Sequence, residues 1–456
     1  MLIRVIRGHK FYMADAQERL ISLDVFRGMT IAGMVLVNNP GTWSAIYGPL
    51  KHAEWHGITP TDYVFPFFLF IVGVAIPIAL SKRIAAGVTR DTYYKIFTRS
   101  LLIFALGIVI SAIPFFNFGE TTIPYALKIL IVLAYSAALF FYLWDKSKIA
   151  LIIAGVTAGI VTAFWLAGHV VVPYDVSTMR IPGVLQRIAI CYLVVSLIYL
   201  HTSWRQQAVI GGVLLFLYWI LMTTIAVPGC EVTSIDDKAC NLSAWLDRVI
   251  LTENHIWRSG KVFDPEGILS TIPSLVTCLS GVLAGTWLNR PVAAGTASDT
   301  NDASAAVEKA AGLFFAGTVA LAVGWSWSLL FPLNKSLWTS SYVVYTSGLA
   351  LLTLAACYWV IDVKQMKWWT RPFVIFGVNA LALYVFSGIF ARLLGMIHLA
   401  GGEAGKDISL QQWIFNNFFL SWASPINASL AFAICFILFW LFLMWLLSRN
   451  KIYIKV

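Results

Sequence analysis

The sequence predicts an all-α fold: a polytopic bundle of about twelve (10–12) membrane-spanning helices with both termini cytoplasmic. Three observations carry that expectation. Of 456 residues, 59% are apolar and only 12% charged, about half the charged share of a typical soluble domain. Mean hydropathy is +0.79. The apolar residues also gather in runs near the roughly 20 residues needed to cross about 30 Å of hydrocarbon. A disordered chain and an ordinary soluble globule are both excluded.

The runs follow in order. The first, 22–40, has a clean apolar core only from Gly28 to Val37 and ends at Pro40. The second, 62–81, opens on Thr59-Pro60-Thr61-Asp62. There Thr59 suits an N-cap, Pro60 the first helical position and Asp62 the acidic first turn. Runs at 98–116, 124–143, 148–168, 182–200 and 207–227 come next, then a long polar loop, 228–266, on the external side. After 267–288 the Ala/Ser/Thr/Asp-rich linker 292–306 reads as a mobile cytoplasmic loop. Runs at 311–331, 338–361, 372–396 and 425–447 complete the set, while 401–424 is too polar to span and reads as an exposed connection with an amphipathic stretch. Gly155–Gly159 and Gly281–Gly285 have the G-x-x-x-G spacing of helix contact faces. The chain thus divides into a cytoplasmic segment 1–21, a transmembrane domain 22–447 and a basic cytoplasmic tail 448–456.

Orientation follows from the basic residues. Lys and Arg number 32 against 22 Asp and Glu, a surplus that would raise nucleic acid as a partner in a soluble protein. With the N-terminus inside, twelve spans place 21 of the 32 in or beside cytoplasmic segments, as the positive-inside bias requires. The surplus is therefore read against the lipid bilayer, with no nucleic acid partner. The first apolar run follows a polar, basic stretch and lacks a small-x-small cleavage site, so the first helix is expected to be retained.

Cys191, Cys278, Cys357 and Cys435 fall inside the runs and suit apolar filling. Cys230 and Cys240 share the external loop, where an oxidising compartment favours a disulfide over two unpaired thiols. P-loop, dinucleotide, zincin and serine-hydrolase motifs are absent, and neither Cys nor His falls in zinc spacing, so no metal is implied.

Polar groups at membrane depth are costly and mark candidate sites. They fall at Leu23-Asp24-Val25-Phe26-Arg27-Gly28, at Asn38 before Pro40, in Lys51-His52-Ala53-Glu54-Trp55-His56-Gly57 and at Asp62. Others are Arg180 to Arg187, Asp264-Pro265-Glu266-Gly267, Asn334-Lys335-Ser336-Leu337-Trp338 and Gly377-Val378-Asn379-Ala380. Each has an ordinary structural reading: Asp62 and Asp264 as helix-start acids, Asp24 with Arg27 as a local pair, His52 as an interfacial histidine, Asn38 as a cap. Taken together they suit acyl transfer. His52 can accept a proton near neutral pH. A nearby acid can fix its tautomer, Asn38 can donate to a developing oxyanion, and Glu266 can hold a substrate cation.

At these residues the chain resembles the transmembrane heparan-alpha-glucosaminide N-acetyltransferase family. The likeness rests on Leu23 to Gly28, Lys51-His52-Ala53-x-Trp55-x-Gly57, Asp62-x-Val64-Phe65-Pro66, Arg180 to Arg187, Asp264 to Leu269 and Asn334 to Trp338, in that order. It continues through Val227-Pro228-Gly229-Cys230, Cys240 and the last helix. The stretch 116–173 is longer than in the animal enzyme, Asn39-Pro40-Gly41 replaces a more glycine-rich turn, and His56 stands where the animal motif has asparagine.

The resemblance implies a prokaryotic relative in a bacterial inner membrane. It would move acetyl from cytoplasmic acetyl-CoA to a glucosamine-type amino sugar or glycan on the periplasmic side. His52, Asp62 and Asn38 then take the catalytic places. Arg27, Asp24 and Asn379 face acetyl-CoA, and Glu266, Arg187, Asn334 and Trp338 face the acceptor. Oligomeric state stays open, a homodimer included. The competing reading is a secondary transporter of amino sugars, which twelve spans would also suit.

Overall fold

The computed structural model describes residues 20–290, 299–400 and 407–454, with side chains omitted for 299–303. The chain runs through α1 (Ile21–Asn38), α2 (Val64–Ala85), α3 (Arg90–Ser111), α4 (Tyr125–Leu143) and α5 (Ser147–Leu166). Next come α6 (Val184–His201), α7 (Trp204–Thr224), a short α8 (Leu242–Leu251) in the long loop, and α9 (Thr271–Leu288). The order closes with α10 (Asp299–Trp327), α11 (Ser340–Cys357), α12 (Arg371–Val378), α13 (Ala380–Met396), α14 (Leu410–Ile414) and α15 (Pro425–Arg449). Strands β1 (His398–Ala400) and β2 (Asp407–Ser409) pair antiparallel between α13 and α14. Among the described residues, eleven helices are long and apolar enough to cross a membrane, and the α12–α13 pair makes a twelfth if it counts as one span.

Two glycine faces set the centre of the bundle. A Cβ on Gly73 of α2 would stand 1.9 Å from the Cys278 carbonyl oxygen, and one on Gly281 of α9 would stand 2.0 Å from that of Phe70. α2 and α9 therefore meet backbone to backbone, as small residues permit in a membrane. Gly28 of α1 lies the same way against Phe373 of α12, and Gly377 against Asp24. The expected Gly155–Gly159 face is different: nothing lies within 4 Å of either position, and α5 turns most of its surface outward.

Two expectations change in detail. The run at 372–396 is not one helix, since α12 and α13 meet at Asn379 with an 81° bend. Asn379 holds the C-terminal tail there, its Nδ2 donating to the Ile452 carbonyl at 3.3 Å and its Oδ1 accepting from the Ile454 N–H at 2.9 Å. Tail residue Ile454 is consequently buried. Of the expected loop 292–306, residues 292–298 lie outside the described residues, and 299–306 are the first turns of α10. Their alanine content favours helix. Most of the segment 1–21 and residues 401–406 also lie outside the described residues. The remainder of 401–424 does not span: it forms β2, α14 and a π-helical turn over Phe415–Phe419.

Candidate active site

His52 and Asp62 come together at the start of α2. The capping box expected there is present: Asp62 Oδ2 accepts from the Thr59 N–H and hydroxyl, each at 3.0 Å, and from the Ala53 N–H at 3.1 Å. Those three donors fix the carboxylate, whose backbone carbonyl also accepts from the Tyr342 hydroxyl at 2.6 Å. The other oxygen, Oδ1, lies 2.7 Å from His52 Nδ1. Asp62 is thus both a helix cap and the partner of a histidine. A carboxylate only accepts, so Nδ1 carries the hydrogen and Nε2 is left with the basic lone pair. The carboxyl is buried while the imidazole remains 46% exposed, facing open space.

That space is a cavity of about 550 Å³, lined among others by Asn38, His52, Asp62, Arg180, Glu266 and Lys335. Lys335 Nζ stands 3.0 Å from His52 Nδ1, 3.3 Å from Nε2 and 3.8 Å from Asp62 Oδ1. Burial pulls the Lys335 ammonium below its usual pKa, with Asp62 and Glu266 opposing. Asn334 shapes the turn carrying Lys335. Its Oδ1 accepts from the Leu337 N–H at 2.9 Å, and its Nδ2 lies 3.3 Å from His56 Nδ1.

Glu266 faces the cavity but is ion-paired to Arg180, which also grips Asp264 at 2.8 Å and 2.6 Å. Burial would raise the Glu266 carboxyl, but Arg180, Arg187 and Lys335 hold it below the usual carboxylate range. Arg187 lies behind the wall, donating to the carbonyls of Pro265 and Gly267 at 3.0 Å each and lying over the Trp338 ring at 5.2 Å. Trp338 is buried with it, its Nε1 donating to Thr277 at 3.1 Å. Of the four residues expected to face the acceptor, Glu266 lines the cavity; Arg187, Asn334 and Trp338 support its wall.

The long loop 228–266 reaches the cavity wall with Lys238, Trp257 and Phe263. Cys230 and Cys240 are joined by a disulfide, and the loop between them is tied to the His52 segment. Trp55 Nε1 donates to the Ile235 carbonyl at 2.9 Å, and His56 Nε2 meets Asp236 at 2.8 Å. Trp55, Phe263 and Trp257 form an edge-on aromatic cluster, at 5.2 Å and 6.0 Å between ring centroids, on the cavity wall. Aromatic faces with polar edges suit a sugar ring, which has both apolar CH and hydroxyl surfaces.

Toward the other end of the bundle lies a second cavity, about 700 Å³, lined by Asp24, Arg27, Arg99, Tyr192 and the tail residues Tyr453 and Ile454. Arg27 and Asp24 pair at 3.2 Å. Of the basic residues 82–99, Arg99 reaches this lining, while Lys82, Arg83, Arg90 and Lys95 do not. The two cavities abut, because Phe68, Leu185, Ile188 and Leu381 line both. Asn379 does not line the second cavity but anchors the tail that does. A third hollow of about 1100 Å³, with Lys367, Arg371 and Arg449, meets the second at Asp24. Among the described residues no group of three or more His, Cys, Asp or Glu side chains is placed to hold a metal.

Residues 19–179 match the family model described as heparan-alpha-glucosaminide N-acetyltransferase, catalytic. The human protein named heparan-alpha-glucosaminide N-acetyltransferase is 27% identical over 416 residues, covering 82% of this chain and 53% of its own length. The chain is similar to the heparan-alpha-glucosaminide N-acetyltransferases. The mouse protein of that name is 26% identical over 420 residues, 81% of this chain and 53% of its own. This chain therefore spans about half the length of the curated relatives it matches. Asp24, Arg27, Asn38, His52 and Asp62 fall inside the matched N-acetyltransferase segment, and the wall residues from Arg187 onward fall beyond it.

Two residues that line the cavity, Lys335 and Arg180, were not singled out by sequence reasoning. A lysine or arginine at a helix boundary is ordinarily an interfacial anchor, and the available signal was their place inside short polar segments.

Proposed function

We propose that the protein is a membrane-embedded acetyltransferase that takes acetyl from acetyl-CoA on the cytoplasmic side and delivers it to an amino sugar on the opposite side of a bacterial inner membrane. The observation that carries this reading is the His52–Asp62 pair in a cavity that abuts, across four apolar side chains, a second cavity bearing Arg27 and Arg99. Two guanidinium groups suit the phosphates of the donor, and the apolar partition suits the slender arm that ends in the thioester.

A glucosamine amine is largely protonated near neutral pH, and the attacking species is its neutral form, which has already released that first proton to solvent. His52 Nε2 takes a proton from the acceptor nitrogen as that nitrogen attacks the thioester carbonyl, and Asp62 stabilises the imidazolium through Nδ1–H. Asn38, on the same cavity, donates to the oxyanion. Collapse breaks the carbon–sulfur bond, its electron pair leaves on the sulfur of coenzyme A, and the amide remains. Direct transfer needs one base and is preferred over an acetyl-histidine intermediate.

Vesicles containing the purified protein and acetyl-CoA, with glucosamine outside, test this. The expected result is external N-acetylglucosamine that depends on internal acetyl-CoA and is lost in His52→Ala. Uptake of unmodified glucosamine without acetyl-CoA would support a transporter instead. Rapid-quench mass spectrometry without acceptor separates the two chemical routes, since stable acetyl on His52 would overturn direct transfer.

A further inference from the structure

Lys335 has no place in the histidine–acid scheme, yet its ammonium is the nearest cation to both His52 nitrogens. His52 Nδ1–H is committed to Asp62 at 2.7 Å, and Lys335 Nζ, within 3.3 Å of both ring nitrogens, lies over the imidazole face beside Nε2, the nitrogen that must receive the acceptor's proton. Lys335 also lies 3.8 Å from Asp62 Oδ1 and lines the cavity beside Glu266. Partial burial lowers the amine's hold on its proton, while Asp62 and Glu266 act in the opposite direction. A lysine in such surroundings exchanges protons with reacting groups in a way a solvated lysine does not.

We propose that Lys335 is a catalytic residue, the general acid that protonates the sulfur leaving the acetyl group, and that His52 recharges it. The inference rests on the acetyltransferase reading above. The circuit balances. As the acceptor nitrogen forms its bond to the carbonyl carbon, one N–H proton passes to His52 Nε2. When the tetrahedral oxyanion collapses, the carbon–sulfur bond breaks and its electron pair goes to sulfur, which takes a proton from Lys335 Nζ. The neutral amine then takes the proton from the His52 imidazolium about 3 Å away, and both groups return to their starting states. The amine proton has ended on the thiol, with no water required.

The experiment uses the full-length protein with acetyl-CoA and glucosamine, reading N-acetylglucosamine by mass spectrometry. Lys335→Arg keeps the charge but cannot give up a proton near neutral pH. The relay predicts that Lys335→Arg and Lys335→Ala both lose kcat by about 10²-fold or more, with KM for acetyl-CoA unchanged within roughly threefold. Ethylammonium should then restore Lys335→Ala, whereas tetramethylammonium, which has charge but no proton, should not. Near-normal kcat in Lys335→Arg, equal restoration by both salts, or no restoration by either would overturn the relay. Absence of acetyl transfer by the unmodified protein would instead overturn the acetyltransferase reading and the relay with it.

Discussion

His52 Nδ1 and Asp62 Oδ1 stand 2.7 Å apart, joined across ten residues of sequence by the turn that starts the second span. The carboxylate is held by three further donors, so the acid is fixed before the histidine meets it. This order of construction makes Asp62 the rigid partner and His52 the orientable one.

The first prediction follows. His52→Ala should cost about 10²–10⁴-fold in kcat. Asp62→Asn, which can present an amide hydrogen to Nδ1 and favour the wrong tautomer, should fall in the same range. Thermal unfolding in detergent should separate the two, because the asparagine retains much of the cap and loses about 1 kcal/mol or less. A mild kinetic defect in Asp62→Asn would refute the tautomer argument.

Arg27→Ala should weaken acetyl-CoA binding roughly 10–100-fold, the range for losing a charge-assisted contact. Lys95→Ala, outside the cavity lining, should change it little. Equilibrium binding of acetyl-CoA to the detergent-solubilised variants is the measurement, and equal effects at both sites would remove Arg27 from the donor site.

The two G-x-x-x-G pairs should behave oppositely. Gly281→Ala sets a methyl 2.0 Å from the Phe70 carbonyl oxygen and should destabilise by about 1–3 kcal/mol. Gly155→Ala meets nothing within 4 Å and should be neutral or stabilising by up to about 1 kcal/mol. Paired denaturation curves compare them directly.

Asp247 on α8 gives a pH prediction. Burial, with help from Asp264, raises its carboxyl from the ordinary 3.8 to about 7, against the opposing Ile268 N–H at 2.8 Å. Its Oδ2 finds no partner among the described residues. Between those two pKa values the folded state binds more proton than the unfolded one. Stability from this group therefore falls as pH rises from about 4 to about 7 and is level above that. Asp247→Asn should flatten that slope and raise the melting temperature at pH 8. A slope unchanged by the substitution would refute the assignment.

The sequence made the spans legible because hydrocarbon thickness imposes a length. It made His52 and Asp62 legible because a helix start and a polar loop coincide there. The break at Asn379 was hidden, since Gly377-Val378-Asn379 has no proline and apolar character runs on through it. Asn379 gains its role from Ile452 and Ile454, more than seventy residues later. Arg187 and Trp338 were visible as polar or aromatic groups at a boundary, but whether they face the cavity or the turn behind it depends on α9 packing, which local sequence does not encode. Lys335 was obscured for the same reason, as only the fold sets it beside a histidine 283 residues away.

The partition of Phe68, Leu185, Ile188 and Leu381 has one more consequence. A sodium ion or hydronium crossing it would have to shed its hydration among hydrocarbon, at a cost of many kcal/mol. Vesicles carrying the protein are therefore expected to hold an imposed pH gradient about as long as protein-free vesicles, which a trapped pH-sensitive dye would read.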